Sequence, residues 1–575
     1  MLGALIRSWR TRKQSAPAQP AMGPCSIEAA TAFFEAGKFE DALLQLRGWL
    51  GEHPEDSKAQ SLLAGSLSET GQNDEACEMV DRVLAATPRE PQQVCAAAEI
   101  HRRAGRFRRA LELAVLACQL EPGNEAHWIV RARILEQLGN NLDSFHAYCR
   151  AVALAPHDLN LHSSQLFLLN RSALFSTKRT LAEHRRWAEK HADALTASAK
   201  EHGNIVDSGR RLRIGYVSAD FRNHVLAFFI EPVIASHDPK QFEITCYSSS
   251  TQTDEFTRRL QGLVPRWRDI VSLDDDAVAA QIREDEIDIL VDLSGHTRGH
   301  RLPVFARKPA PLQLTWLGYL GTTGMKAMDY FICGPQVEPP GDADAEFCEK
   351  ILHLPVTSWC FREPPQAPVV SALPASRNGF VTFGSFSNFL RLDNGTFESW
   401  AQILKALPDA RLRVVGAPED ESLDRMTRIM DAAGVEKHRL DFIRKVSYTR
   451  YFELLAETDI ALGSYPYNGA TTICEALWMG VPVVSRLGDR QASRASRSIL
   501  GAIGMERLVA SDPVKYVEIA VELAKDPATL SVLRAGMRQR MLDSHLMDAK
   551  AFTSALEQAY HRIWEEWCAG RSSKT

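Results

Sequence analysis

The sequence predicts an α-helical solenoid of short repeats followed by two α/β domains that face each other across a cleft. Three observations predict it. Glycines and prolines recur with a fixed period through the first 156 residues, apolar strand-like runs alternate with helix-like runs from Arg211 onward, and a second such alternation comes after a proline-rich break.

The repeat is the most quantitative signal. Gly37, Gly71, Gly105 and Gly139 are spaced by 34 residues, and so are Pro54, Pro88, Pro122 and Pro156. A small residue stands five positions after each glycine: Ala42, Ala76, Ala110 and Ser144. Each glycine lets the chain turn between two helices, each small residue lets those helices approach, and each proline stops the second helix. This is the period of a tetratricopeptide helix–turn–helix, and residues 25–156 hold about three and a half such units. Such arrays offer a concave groove suited to an extended peptide, so a protein or peptide partner is expected there; a scaffold that only stabilises the neighbouring domain is the other reading.

Residues 1–24 read as a flexible leader, basic and then Ala/Pro-rich, whose apolar part is broken by Arg7. Residues 157–209 keep helical composition without the repeat and read as a helical linker ending at Gly203–Asn204. His202 stands at that end, where a histidine needs no special function.

From Arg211 the pattern changes. RLRIGYVS, FEITCYSS and IDILVDLS read as strands with helices between them, which implies a parallel, doubly wound sheet with ligands at the carboxyl ends of its strands. Asp220, His224, His296, Thr297 and Arg298 fall in such loops. After LGYLGTTG the composition turns proline-rich and acidic and suggests a crossing linker more than a packed element. The expected layout is a first domain over 210–365, a linker over 366–378, a second Rossmann-like domain over 379–567 and a tail over 568–575.

Within the second domain, Asp459–Arg486 reads as strand, loop, helix, strand. Thr471 and Thr472 then stand at a helix N-terminus, where free N–H groups and the helix dipole favour a phosphate. Glu475 lies one turn on along the same face, placed for a ribose hydroxyl. A buried α/β unit with an ordinary Thr N-cap accounts for the same stretch.

Bulk properties exclude several classes. Hydrophobic content of 45%, charged content of 24% and a net charge of −5 describe an ordinary globular chain with no general attraction to nucleic acid. No stretch is long and apolar enough to span a membrane. Eleven cysteines without a CxxC or a Cys/His cluster indicate neither a metal site nor a disulfide framework, and fit a reducing, cytoplasmic setting. Asp342-Ala343-Asp344 has an acidic spacing that could hold a metal, but it sits in a Pro/Gly-rich segment. Asp274–Asp276 reads as a solvated helix start, Arg490, Arg494 and Arg497 as either positive charge near the phosphate-favouring helix end or an exposed basic helix start, and Trp316 and Trp400 as core or cleft wall.

The repeat array, RLRIGYVSADFRNH, DILVDLSGHTRGHR, PAPLQLTWLGYLGTTG, FGSFSNFLRLD and SYPYNGATTICEALWMGVPVV occur together in this order. Over roughly residues 25–565 the chain resembles the SPINDLY and O-linked N-acetylglucosamine transferase family. That resemblance implies a GT-B glycosyltransferase, inverting, without a metal or other cofactor, moving a sugar from a nucleotide donor to a protein side chain. UDP-GlcNAc and acceptor Ser/Thr hydroxyls are the first expectation. GDP-fucose, a UDP-hexose, a CMP-sugar, or an adaptor with a weak or inactive cleft are the alternatives.

The resemblance also gives residues roles. Thr471 and Thr472 match the pair that binds the donor diphosphate, and Glu475 matches the acidic ribose-binding position. Asn388 and Arg391 match an amide and a lysine that touch the diphosphate, and Gly318 lies in a loop approaching donor and acceptor. Asp220, His224 and His202 match the polar residues around the reacting centre. Arg391 in place of lysine, Tyr448 and Tyr451 in place of a lysine and a histidine near the nucleobase, and Ala470 in place of a histidine are departures that bear on which nucleotide is used.

Overall fold

The structure is a computed structural model, and it describes residues 25–337, 346–355, 357–418 and 420–572. The leader expected at 1–24 and the Asp342-Ala343-Asp344 motif lie outside the described residues. The chain forms two compact units, one of residues up to Leu161 together with Pro418–Thr427, the other of His162–Ala417 and Arg428 onward.

The first unit is a stack of helix pairs: α1 (Ile27–Glu35) with α2 (Phe39–Glu52), α3 (Ser57–Glu69) with α4 (Asn73–Ala86), α5 (Pro91–Arg103) with α6 (Phe107–Leu120), and α7 (Glu125–Gln137) with α8 (Asn141–Leu154). The turn within each pair is made by Gly37, Gly71, Gly105 or Gly139, at φ between +72° and +81°, a region that residues with a Cβ rarely adopt. Ala42, Ala76, Ala110 and Ser144 are fully buried between helices, and Ser144 Oγ donates to Ala132 O at 2.9 Å. Among the described residues there are four pairs where the period suggests three and a half. The first helix is capped by Ser26, which accepts from the Ala29 amide at 3.1 Å, a local signal that a glycine–proline period does not register.

Pro418–Thr427 joins this unit although it comes after a strand of the last sheet in sequence. Arg108 pairs with Asp424, and a Cβ on Gly105 would come within 2.6 Å of the Asp420 Cβ. A single excursion without periodicity leaves no trace in composition.

The second unit carries two parallel sheets. The first has β1 (Leu212–Ser218), β2 (Phe242–Ser248), β3 (Arg266–Asp269), β4 (Ile289–Asp292), β5 (Leu312–Thr315), β6 (Tyr330–Cys333) and β7 (Lys350–His353). Their order is 3-2-1-4-5-6-7. The second has β8 (Thr382–Ser385), β9 (Arg411–Val415), β10 (Leu440–Ile443), β11 (Ile460–Leu462), β12 (Val483–Arg486) and β13 (Val509–Ala510), ordered 10-9-8-11-12-13. Every pairing is parallel. Strand order therefore reverses between β1 and β4 in one sheet and between β8 and β11 in the other, the two places where loops diverge and leave a crevice.

The described elements differ from the composition reading in several places. The stretch after Gly324, expected to be a crossing linker, supplies β6 and β7 and the buried run Trp359–Phe361. β6 pairs with β5 and β7 with β6, so these short runs extend the sheet although Pro, Gly and acidic residues dominate the stretch between them. The span expected as a linker, 157–209, is packed: α9 (Leu159–Asn170) and α10 (Thr177–His191) bury Leu166, Leu168, Leu169 and Trp187. Three helices set the site: α11 (Ala227–Ser236) comes after β1, and α12 (Tyr448–Ala456) and α13 (Ala470–Trp478) flank β11. The last described helix, α14 (Ala549–Ser572), covers the described part of the expected tail and packs with the first sheet. Its Glu557 accepts from the Asp238 amide and pairs with His237, and Trp564 Nε1 donates to Asp207 O. Among the described residues no helix is long and apolar enough to cross a membrane.

Candidate functional site

The loops after β8 and β11 build one half of the site. After β11, Ser464–Gly469 is pinned by its own polar groups: Ser464 Oγ donates to Tyr467 O, Asn468 Nδ2 to Ser464 O, and the Asn468 amide to Ala492 O. The chain then enters α13. Its N-cap is Gly469, which offers no side-chain cap, so the ordinary Thr N-cap is not what stands here. The first bond of the helix runs from Ile473 N to Gly469 O, which leaves the amides of Ala470, Thr471 and Thr472 unspent by the helix. Both threonines are partly exposed at this end.

Arg391 is brought to the same place from β8. Asn388 accepts from the Leu390 amide and starts a short turn, Phe389–Arg391, and Leu392 then bridges to Pro466. The Arg391 guanidinium lies 4.6 Å from the Tyr467 ring centroid. A Cβ placed on Gly469 would stand 3.7 Å from an Arg391 nitrogen and 2.4 Å from Thr472 Oγ1, so the glycine keeps the helix end open to both. Thr472 Oγ1 donates to Gly469 O at 2.9 Å, so backbone amides, the Thr471 hydroxyl and one guanidinium converge where a diphosphate's charge would be stabilised.

Glu475 is one turn further on and 4% exposed. Its carboxylate accepts from Tyr448 at 2.6 Å and Tyr451 at 2.8 Å, both on α12. Burial pushes its pKa up to about 7, and the two phenols hold it back from going higher.

The other half comes from the first sheet. Asp220 lies just after β1 and pairs with Arg222 at 3.0 Å; its other oxygen is 3.7 Å from His224 Nδ1. Burial holds His224 below the ordinary imidazole pKa, against the raising effect of Asp220. One turn later, on α11, Phe228 reaches the second sheet, its ring 6.5 Å from Tyr448. Gly318 lies after β5 and is required by close approach: a Cβ there would sit 2.1 Å from Leu293 O, in the loop after β4.

His202 is the one residue of the expected set that the structure places elsewhere. Asn204, two residues on, donates to Glu286 O, Ile287 O and Asp288 Oδ1, all before β4 begins. His202 feels Arg283 and Lys308 at that same edge, and burial lowers its pKa to about 4. This is the amino end of the sheet, while Asp220 and His224 are at the carboxyl end, about 20 Å away along a seven-residue strand.

Sequence reasoning missed the element that joins the halves. Phe167 of α9 packs 6.3 Å from Tyr467 and 6.2 Å from Tyr319, and Asn170 Nδ2 donates to Leu320 O. Arg490, expected near the donor or exposed, is buried and donates to Leu169 O, Ser172 O and Phe175 O. Arg494 pairs with Glu346. A buried histidine cluster lies beneath: His184 with Tyr319, His162 with His191, and Ser163 with His296 and His300. His296 is spent in that packing. Asp274 caps the helix that starts at Asp275, and Trp316 and Trp400 are core. Among the described residues no group of three or more His, Cys, Asp or Glu could hold a metal ion.

An array of helix pairs followed by two parallel Rossmann-like sheets, with a helix end of unspent amides on the second, defines a GT-B nucleotide-sugar glycosyltransferase fold. The chain belongs to glycosyl transferase family 41, whose profile matches residues 161–361 and 365–556. Tetratricopeptide repeat and anaphase-promoting complex subunit 3 profiles match 33–98 and 69–151. The chain is similar to a probable UDP-N-acetylglucosamine–peptide N-acetylglucosaminyltransferase SPINDLY of Petunia hybrida, 36% identical over 422 residues. It is also similar to the SPINDLY of Arabidopsis thaliana, 34% identical over 422 residues. Each alignment takes in 72% of this chain and 45–46% of the relative, so the chain spans about half the length of these relatives. Among solved structures, an O-GlcNAc transferase variant of Thermobaculum terrenum superposes with a TM-score of 0.78 at 34% identity, covering 90% of this chain and 98% of that one.

Proposed function

We propose that this protein is an inverting glycosyltransferase that moves a sugar, N-acetylglucosamine from UDP-GlcNAc in the first instance, onto Ser/Thr hydroxyls of a protein held by the repeat array. The observation that carries the reading is the convergence of the α13 amino end, Thr471, Thr472 and Arg391 on one open position. The names of the SPINDLY relatives and of the Thermobaculum neighbour support the sugar and the peptide acceptor.

An inverting transfer sets the acceptor hydroxyl and the leaving diphosphate on opposite sides of the anomeric carbon. As the glycosidic bond to the diphosphate breaks, negative charge grows on its oxygens. The three unspent amides and Arg391 stabilise that charge more than they stabilise the bound donor, which is the requirement for a faster chemical step. His224, kept neutral by burial, accepts the proton of the attacking hydroxyl directly or through water, with Asp220 stabilising the imidazolium that forms. Asn388 and Gly318 shape the loops that face the donor. No disulfide joins the cysteines among the described residues, which fits a reducing, cytoplasmic compartment.

Calorimetric titration of the full chain with UDP, GDP and CMP tests the donor reading. Binding of UDP supports it, binding of GDP or CMP alone keeps the site and replaces the nucleotide, and no binding by any of the three overturns it.

A further inference from the structure

Glu475 has no cationic partner among the described residues. It has instead one phenol on each oxygen, Tyr448 on Oε1 and Tyr451 on Oε2. A carboxylate oxygen has room for two donors, so each oxygen keeps one open acceptor position. The phenols are held in place by packing. Their rings are nearly parallel, at 10° with centroids 6.0 Å apart, and Phe452 closes on the edges of both at 4.8 and 5.6 Å. Phe386 abuts Tyr451 at 5.4 Å. Tyr448 is also steadied from the first sheet by Phe228.

The carboxyl group is therefore held in rotation by the two phenols, and each of its adjacent oxygens can accept one further donor. The chemical group that fills such a pair is a vicinal diol, each hydroxyl donating to one oxygen. We infer that Tyr448 and Tyr451 are positioning residues that present Glu475 as a two-oxygen acceptor for the 2′- and 3′-hydroxyls of a ribose, so that this site selects ribonucleotides over deoxynucleotides. The inference rests on reading Glu475 as part of the nucleotide site and adds how that residue is aimed and what it rejects.

The arrangement also ties binding to pH. The titratable and charged groups around Glu475 are Tyr448 and Tyr451 from α12, Cys474 on its own helix, and Arg362, which acts on Tyr448. Burial raises the carboxyl pKa to about 7, and the phenols oppose that rise. Diol binding needs the charged form, so affinity climbs as pH rises through about 7. Removal of a phenol hydroxyl moves the midpoint upward.

The test titrates the full chain with UDP, GDP and their 2′-deoxy and 3′-deoxy forms. Wild type is expected to prefer the ribonucleotide by roughly ten- to a hundred-fold per missing hydroxyl. Tyr448→Phe and Tyr451→Phe keep the rings, so the fold and melting temperature hold, yet the preference falls to a few-fold and the pH midpoint for binding shifts up. Glu475→Gln weakens the ribonucleotide to the level of its deoxy form. Unchanged preference and unchanged midpoint in both Tyr→Phe variants overturn the inference while leaving the nucleotide site intact. A wild type that binds neither UDP nor GDP overturns the nucleotide-site reading itself, and this inference with it.

Discussion

The Arg391 guanidinium stacks on the ring of Tyr467, 4.6 Å from its centroid, and from there stands beside the first turn of α13. The ring is buried and so gives the cation a fixed seat without neutralising it, leaving its N–H groups for an anion.

From that seat Arg391 is expected to act on the chemical step. Arg391→Ala should lower kcat by roughly a hundred- to a thousand-fold, with a smaller change in KM. Arg391→Lys, which keeps the charge and loses the fork, should recover part of it. Steady-state kinetics with a saturating donor separate the two constants, and a change confined to KM would contradict the assignment.

Arg490 is the contrasting case. Arg490→Ala removes the guanidinium's hydrogen bonds to the carbonyls of Leu169, Ser172 and Phe175, at a cost of about 2 kcal/mol or more. Urea unfolding should show that loss, while nucleotide affinity of the folded variant stays near wild type.

Gly318→Ala tests whether the glycine serves the backbone or the donor. Its Cβ would meet Leu293 O, a backbone atom that cannot swing aside, and overpacking of this kind costs about 2 to 3 kcal/mol. The expected result is a lowered melting temperature; a normal melting temperature with lost donor affinity would show the opposite role.

The buried histidines predict acid sensitivity. Burial lowers the folded-state pKa to about 3 for His162 and about 4 for His184 and His300, against an ordinary 6.5. The unfolded chain therefore binds protons that the folded chain refuses. Stability is full above pH 6.5 and is lost as pH falls from 6.5 toward 4, by about 1.4 kcal/mol per pH unit for each such histidine. Denaturation midpoints at several pH values measure the slope, and His300→Gln should make it shallower.

The repeat unit was legible because a turn with positive φ demands glycine and close helices demand small residues, and both leave a fixed period. The helix that follows β11 was legible for a related reason: a helix start after a buried strand is written in local sequence, as at Thr471, Thr472 and Glu475. The contacts that escaped were long-range. His202 looks like any helix-end histidine, and only the chain path shows it at the wrong edge of the sheet. Phe167, Tyr467 and the phenols on Glu475 meet across elements far apart in sequence, and α14 returns to a sheet whose last strand ended at His353. No periodicity encodes such contacts.

The most direct measurement is the mass of host-cell proteins after incubation with the full chain and UDP-GlcNAc, beside a Thr471→Val/Thr472→Val variant. Single N-acetylhexosamine increments on Ser or Thr are expected with the wild type and none with the variant. Increments that persist in the variant, or none with any UDP-, GDP- or CMP-sugar, would contradict a transferase built on this helix end.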